Sequence, residues 1–94
     1  MTARLTPNVN NGVAFMGFAI TGTGGRDCSV AATCDAQALV RDLGGNGDSG
    51  YIQASATYFV TGLSAGSHTF TALYRETGGT AAFANRNIIV IPMP

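Results

Sequence analysis

The chain has 94 residues, 46% of them hydrophobic, which suits one domain with a packed core and is too short for two. Only 11% of the residues are charged, against roughly 25% in ordinary soluble domains, and five basic residues balance five acidic ones. This composition argues against nucleic-acid binding, which needs a basic surface, and no apolar run reaches the roughly 18 residues of a membrane span.

Thirteen glycines and the small polar residues around them divide the chain into short apolar stretches, a pattern typical of an all-β protein. Residues 2–6 predict a first strand, which a turn at 7–12 follows. Residues 13–21 are apolar on both faces of a strand, which indicates burial on both sides. Residues 22–35 predict a long loop that has room for one short strand.

The sequence of residues 36–43 is compatible with either a short helix or a strand. With Asp35 as an N-cap they suit two helical turns, but the β neighbours on either side favour a strand. The remaining predicted elements are a loop at 44–50, a strand at 51–60, a tight connection at 61–67, a strand at 68–75, a Gly-Gly hairpin turn at 77–80 and a last strand at 81–91. Phe59 departs from the apolar–polar alternation of the strand at 51–60.

The predicted fold is therefore all-β: an antiparallel β-sandwich or jelly-roll-like domain of six to seven strands over residues 1–94. A compact domain of this length has a radius of gyration near ~12 Å.

Two cysteines, Cys28 and Cys34, lie six positions apart in the loop at 22–35. With His68 as the one further soft ligand, they fall short of the four ligands of a structural zinc site, so no metal is expected. A local disulfide is favoured over two free thiols, because a long loop with few apolar residues has little else to order it.

No pattern of catalytic residues stands out, and neither an enzyme nor a cofactor is expected. His68 begins a strand without a nucleophile motif around it, and the carboxylates fall mostly in loops or at the ends of elements. All five basic residues are arginine, which we interpret as composition bias: Arg4, Arg26, Arg41, Arg75 and Arg86. Packing explains most aromatic residues, while Tyr51 or Tyr74 leaves a sugar-binding alternative open.

Residues 57–94 contain the pattern TGL-x-x-G-x-x-TF-x-x-x-YR, then a Gly-Gly-Thr turn and the pattern NR-x-I-x-VIP. This combination resembles the C-terminal strands of β-sandwich modules in bacteriophage virion and tail-associated proteins and in actinobacterial surface proteins. Such modules carry further strands before the part that residues 2–20 resemble. The resemblance implies either a shorter fold or strands supplied by a neighbouring chain, together with structural or adhesive work and no catalytic residues.

The expected function is that of a non-enzymatic structural protein of a virus particle: a phage decoration, fibre or tail module. The alternative is a secreted or surface-bound module that binds carbohydrate or another polymer. Low charge and surplus apolar faces predict a homo-oligomer, with a trimer favoured, in contact with other virion or surface proteins on a virion or outside the cell. The residues expected to build the core and the assembly surface are Phe15, Phe18, Leu63, Phe70, Tyr74, Phe83, Ile89 and Ile91.

Overall fold

A computed structural model describes residues 1–8, 11–43 and 51–93 of the chain. These residues contain six strands and one short helix. In chain order the elements are β1 (Thr2–Pro7), β2 (Val13–Ile20), α1 (Ala31–Asp35), β3 (Leu39–Asp42), β4 (Ile52–Ser55), β5 (Phe70–Thr77) and β6 (Ala81–Asn87).

The strands form two antiparallel sheets of three strands each. Sheet 1 has the order β4-β1-β6, and sheet 2 has the order β3-β2-β5. The two sheets pack against each other, so the predicted all-β sandwich is confirmed.

The core lies between the two central strands, β1 and β2. Ala3 and Leu5 of β1 are fully buried, as are Ala14 and Met16 of β2, because alternate residues of a strand point to the same face. Leu39 of β3 completes this cluster. Burying one large aliphatic side chain contributes about 1.5–3 kcal/mol to stability.

The second apolar face of β2 is covered by the chain itself. Gly17 is buried there, and a Cβ built on it would lie 3.5 Å from the Cβ of Cys34 in α1. Nearby on the same face, the Arg75 guanidinium lies 4.2 Å from the centre of the Phe15 ring. The apolar pattern at 13–21 therefore reflects burial on both sides within one chain.

Two predictions about the segments that connect the strands are wrong. The Gly78-Gly79 turn is present, and both glycines have positive φ, but it is not a hairpin turn because β5 and β6 belong to different sheets. Asp35 is the last residue of α1 and not an N-cap, since the helix precedes it. The strand favoured within 36–43 is present as β3.

Two predicted strands are shorter than expected. The strand at 51–60 forms only at Ile52–Ser55, and the strand at 81–91 ends at Asn87 after a register irregularity against β1. Residues 56–69 and 88–93 therefore lie outside the strands, and the radius of gyration is 14.2 Å rather than ~12 Å. The predicted loop at 44–50 and part of the turn at 7–12 lie outside the described residues.

Candidate interaction surface

The end of the sandwich where β1 begins is open. Thr2 is paired with Ser55 of β4 on one side and with Asn87 of β6 on the other. One residue further out, Met1 still pairs with Ala56: its carbonyl oxygen accepts from the Ala56 amide at 2.9 Å. The chain segments that follow β4 and β6 both line a groove at this end of the sandwich, together with Met1 and Thr2.

These two segments form the sides of a groove of about 1620 Å³, which we call the end groove. One side is the segment 56–60, and the other is the segment 88–93, called the tail below. The floor includes Phe18 and Phe70, whose ring centroids lie 6.1 Å apart, together with Leu63. The floor therefore belongs to sheet 2 and to the connection between β4 and β5.

The sides of the end groove expose large apolar side chains. Phe59 is 70% exposed, Ile89 71% and Ile91 78%. Their neighbours Val60 and Ile88 are only partly exposed, so each side has one face turned to the solvent and one turned inward. An apolar patch of this kind on a small protein is typical of an interaction surface.

The lining of the end groove contains no Asp, Glu or Arg side chain. Two nitrogen groups there, the Met1 ammonium and the His68 imidazole, are held by carbonyl oxygens. Met1 donates from its terminal nitrogen to the Ala56 oxygen at 2.7 Å. An occupant that is itself uncharged and apolar matches this surface best.

His68 joins two loops beside the end groove. Its Nδ1 lies 2.6 Å from the Thr21 carbonyl oxygen, and its Nε2 lies 2.7 Å from the Ser64 carbonyl oxygen. Because a ring with both nitrogens donating is protonated, the Thr21 carbonyl first and the Ser64 carbonyl second raise the pKa of His68. Gly22 leaves room for the ring, since a Cβ there would lie 2.7 Å from Nδ1.

A second, smaller cavity of about 240 Å³ lies beside α1 on the outer face of sheet 2. Cys28 and Cys34, which line it, are bonded as a disulfide with their Cα atoms 5.4 Å apart. Arg75 donates from Nε to both carboxylate oxygens of Asp35, at 2.9 and 3.1 Å, and forms an ion pair with it through Nη2. The hydrogen bonds from Arg75 lower the pKa of Asp35.

The residues predicted from the sequence fall into three groups. Phe18, Leu63 and Phe70 meet on the floor of the end groove, and Ile89 and Ile91 lie on its side. Tyr74 and Phe83 pack together between the sheets with ring centroids 4.9 Å apart. Phe15 lies apart from both groups, on the outer face of sheet 2 beside Arg75.

Residue patterns did not predict that four of the arginines would lie over aromatic rings. The distances from guanidinium carbon to ring centre are 5.3 Å for Arg4 over Tyr51, 4.0 Å for Arg26 over Phe18, 4.2 Å for Arg75 over Phe15 and 5.2 Å for Arg86 over Tyr74. The fifth, Arg41, donates to the Leu5 carbonyl oxygen at 3.2 Å. A contact between a guanidinium and an aromatic ring contributes about 0.5–1 kcal/mol to stability at an exposed site.

The segment 56–60 is the part of the end groove that the sequence did not predict. Phe59 is the residue that could have indicated this surface, because its apolar side chain breaks the apolar–polar alternation of the strand predicted at 51–60.

Across residues 1–8, 11–43 and 51–93, no three His, Cys, Asp or Glu side chains are grouped so that they could hold a metal ion. The same residues include no helix with the length and apolar character needed to cross a membrane.

Comparison with known proteins finds no family model, no curated protein and no solved structure that matches this chain.

Proposed function

We propose that this chain is a non-enzymatic structural protein of a virus particle, a decoration, fibre or tail module that works by self-association and by presenting a surface. The observation that carries the proposal is the end groove, an apolar surface without acidic or arginine side chains at one end of a small sandwich. Most soluble oligomers are symmetric assemblies of one chain, so contact between copies is the simplest use of such a surface.

The assignment to a virus particle rests on the resemblance of residues 57–94 to the closing strands of phage virion and tail modules. In this chain those residues form β5, β6, the connection before β5 and the tail. The part of the chain that resembles virion modules thus builds most of the end groove. The trimer expected from the sequence stays a prediction.

The test is to purify particles from the source of this gene on a density gradient and to search them for the chain by mass spectrometry. We expect the chain to sediment with capsids or tails at a fixed number of copies per particle. A chain that is absent from washed particles and is found only as free protein would contradict the proposal.

The alternative function, a carbohydrate- or polymer-binding module, is favoured by Tyr51. Its side chain is 47% exposed, and the Arg4 guanidinium lies 5.3 Å from its ring centre, so an aromatic platform and hydrogen-bond donors are adjacent. Binding to a glycan array that Tyr51→Ala abolishes would support this alternative, with Tyr58→Ala as the matched control from a different surface.

A further inference from the structure

The smaller cavity, of about 240 Å³ beside α1, has the Cys28–Cys34 disulfide in its lining. A disulfide that other thiols can reach exchanges with them, whereas one that is sealed inside a domain resists exchange. We propose that this cavity, called the α1 cavity below, admits a small uncharged thiol, and that the thiol attacks Cys28 and stays there as a mixed disulfide. This inference goes beyond the proposed function and does not depend on self-association.

The α1 cavity is open and has room for such a molecule. Its volume of about 240 Å³ is many times the roughly 10–15 Å³ that one water needs. Ala31 and Leu73, which line the cavity, are exposed, so it is accessible from the solvent. Arg75 forms an ion pair with Asp35, the carboxylate of the lining, so this negative charge is neutralised where a thiolate approaches.

The two sulfur atoms of the disulfide differ in their access. Cys34 is 6% exposed and packs against Gly17 of β2. Cys28 is only partly buried and lies in the loop before α1. Exchange begins when a thiolate attacks one of the two sulfurs, and access decides which one. Cys28 is therefore the sulfur that is attacked, and Cys34 is the leaving group.

The exchange consumes one thiol and forms one thiol. The sulfur of the incoming thiolate bonds to Sγ of Cys28, and the bond between Cys28 and Cys34 breaks. Its electron pair stays on Sγ of Cys34, which takes up the proton that the incoming thiol gave to the solvent. The new Cys34 thiol has an acceptor in place, because its Sγ lies 3.5 Å from the Phe18 carbonyl oxygen.

The backbone at Cys28 helps the adduct to persist. Cys28 has a φ of 61°, in the left-handed region that residues other than glycine seldom adopt. The disulfide restrains this conformation, so its cleavage allows Cys28 to return to negative φ and to carry the adduct away from Cys34. The neighbours Asp27 and Ser29 are exposed and leave space for this movement.

The loop stays attached at both ends during the exchange. On one side, Arg26 and Ile20 share two backbone hydrogen bonds of 2.7 and 3.0 Å. On the other side, Arg75 holds Asp35, the last residue of α1. The exchange therefore loosens the segment between these anchors and leaves the two sheets in place. Thiols keep disulfides reduced inside most cells but not outside them, so the modification distinguishes the two environments.

The first test locates the adduct. The full chain is treated briefly with mercaptoethanol, quenched with excess N-ethylmaleimide and mapped by peptide mass spectrometry. We expect mercaptoethanol on Cys28 and maleimide on Cys34. An adduct on Cys34, equal amounts on both cysteines, or a native disulfide that does not react would overturn the proposal.

If the adduct is resolved too quickly to be trapped, the variants C34S and C28S replace the wild type, each reacted with hydroxyethyl disulfide. The thiol of Cys28 in C34S should form the mixed disulfide about tenfold faster than the thiol of Cys34 in C28S, because only Cys28 is accessible. Equal rates would again count against the proposal.

The second test concerns the α1 cavity itself. Ala31→Leu fills the cavity from α1, so mercaptoethanol should cleave the disulfide about tenfold more slowly in this variant. Ala32→Leu is the matched control, since Ala32 is exposed on the same helix but does not line the cavity, and its rate should equal that of the wild type. Circular dichroism shows that both variants are folded. The same rate in A31L and A32L would exclude the α1 cavity as the route of the thiol.

Discussion

Tyr74 and Phe83 join the two sheets, with ring centroids 4.9 Å apart although one belongs to β5 and the other to β6. The Gly78-Gly79 turn places these two edge strands on the same side of the sandwich, so the aromatic pair closes that side. The Arg86 guanidinium lies 5.2 Å from the Tyr74 ring centre and covers the pair further.

The pairing of Tyr74 with Phe83 is therefore expected to stabilise the fold beyond the area that each ring buries. A double-mutant cycle of Tyr74→Leu and Phe83→Leu, followed by urea unfolding, should give a coupling energy of about 0.5–1.5 kcal/mol. The matched control pairs Tyr74→Leu with Tyr51→Leu, whose ring lies by Arg4 next to β4 at the opposite edge of sheet 1 from β6, and should give additive losses. Additive losses for Tyr74 and Phe83 would contradict the contact.

The loss of stability expected from a core substitution follows the burial of the side chain more closely than its size. Leu5 is fully buried, whereas the larger Phe70 lies partly exposed on the groove floor. Leu5→Ala should lower the free energy of unfolding by about 2–5 kcal/mol, and Phe70→Ala should cost less, because part of its ring already contacts solvent. Thermal unfolding of the two variants at the same protein concentration shows which substitution destabilises the fold more. If Leu5→Ala were more stable than Phe70→Ala, the core described above would be contradicted.

Gly17 is the position where α1 approaches sheet 2. A Cβ there would make ordinary contact with Cys34 at 3.5 Å, so Gly17→Ala should leave the melting temperature almost unchanged. Gly17→Val adds two further carbons against α1 and should cost about 1–3 kcal/mol. Ala19→Val on the same face is the control, since Ala19 is partly exposed. Equal melting temperatures for the two valine variants would show that α1 does not pack on Gly17.

The Cys28–Cys34 disulfide closes a small loop that contains most of α1. Its reduction should lower the free energy of unfolding by about 2–2.5 kcal/mol in the chain-entropy view. Intact mass of the untreated protein should be about two mass units below that of the reduced form. A Cys28→Ser, Cys34→Ser variant should unfold identically with and without reductant. Rapid alkylation of both thiols in the native protein would count against the bond.

His68 makes stability depend on pH. Because its folded-state pKa is raised above the ordinary value of 6.5, its contribution is complete below about pH 6.5 and is lost as the pH rises through the folded-state pKa. The melting temperature should therefore fall across this window in the wild type. His68→Gln should flatten the curve, because an amide cannot reproduce an ionisable ring that donates to Thr21 and Ser64. An unchanged curve in the variant would assign the titration to another group.

Residue patterns were sufficient to predict the sandwich and strands β1, β2, β5 and β6, because glycine-bounded apolar runs and their alternation are local signals. They were insufficient to show which sheet each strand joins. The Gly78-Gly79 turn is an example: a Gly-Gly pair indicates a reversal, but the reversal here connects two sheets, which is decided by the pairing of β6 with β1.

The candidate site was predicted in part. Leu63, Phe70, Ile89 and Ile91 all belong to the end groove, but the sequence placed Ile89 and Ile91 in a strand. β6 ends at Asn87, which pairs with Thr2 of β1, and this pairing joins residues 85 positions apart in the chain. The stacking of arginines on aromatic rings is equally non-local.

The pairing of Thr2 with both Ser55 and Asn87 has a consequence for the order of folding. Among the strands of the described residues β1 is synthesised before the others, yet its two neighbours are β4 and β6. Sheet 1 therefore cannot close until β6 has been synthesised, and until then Leu5 has no complete layer to pack into. Such long-range pairing slows folding and leaves the nascent chain prone to association. A chaperone that binds the nascent chain would therefore contact β1 before β6 is available to pair with it.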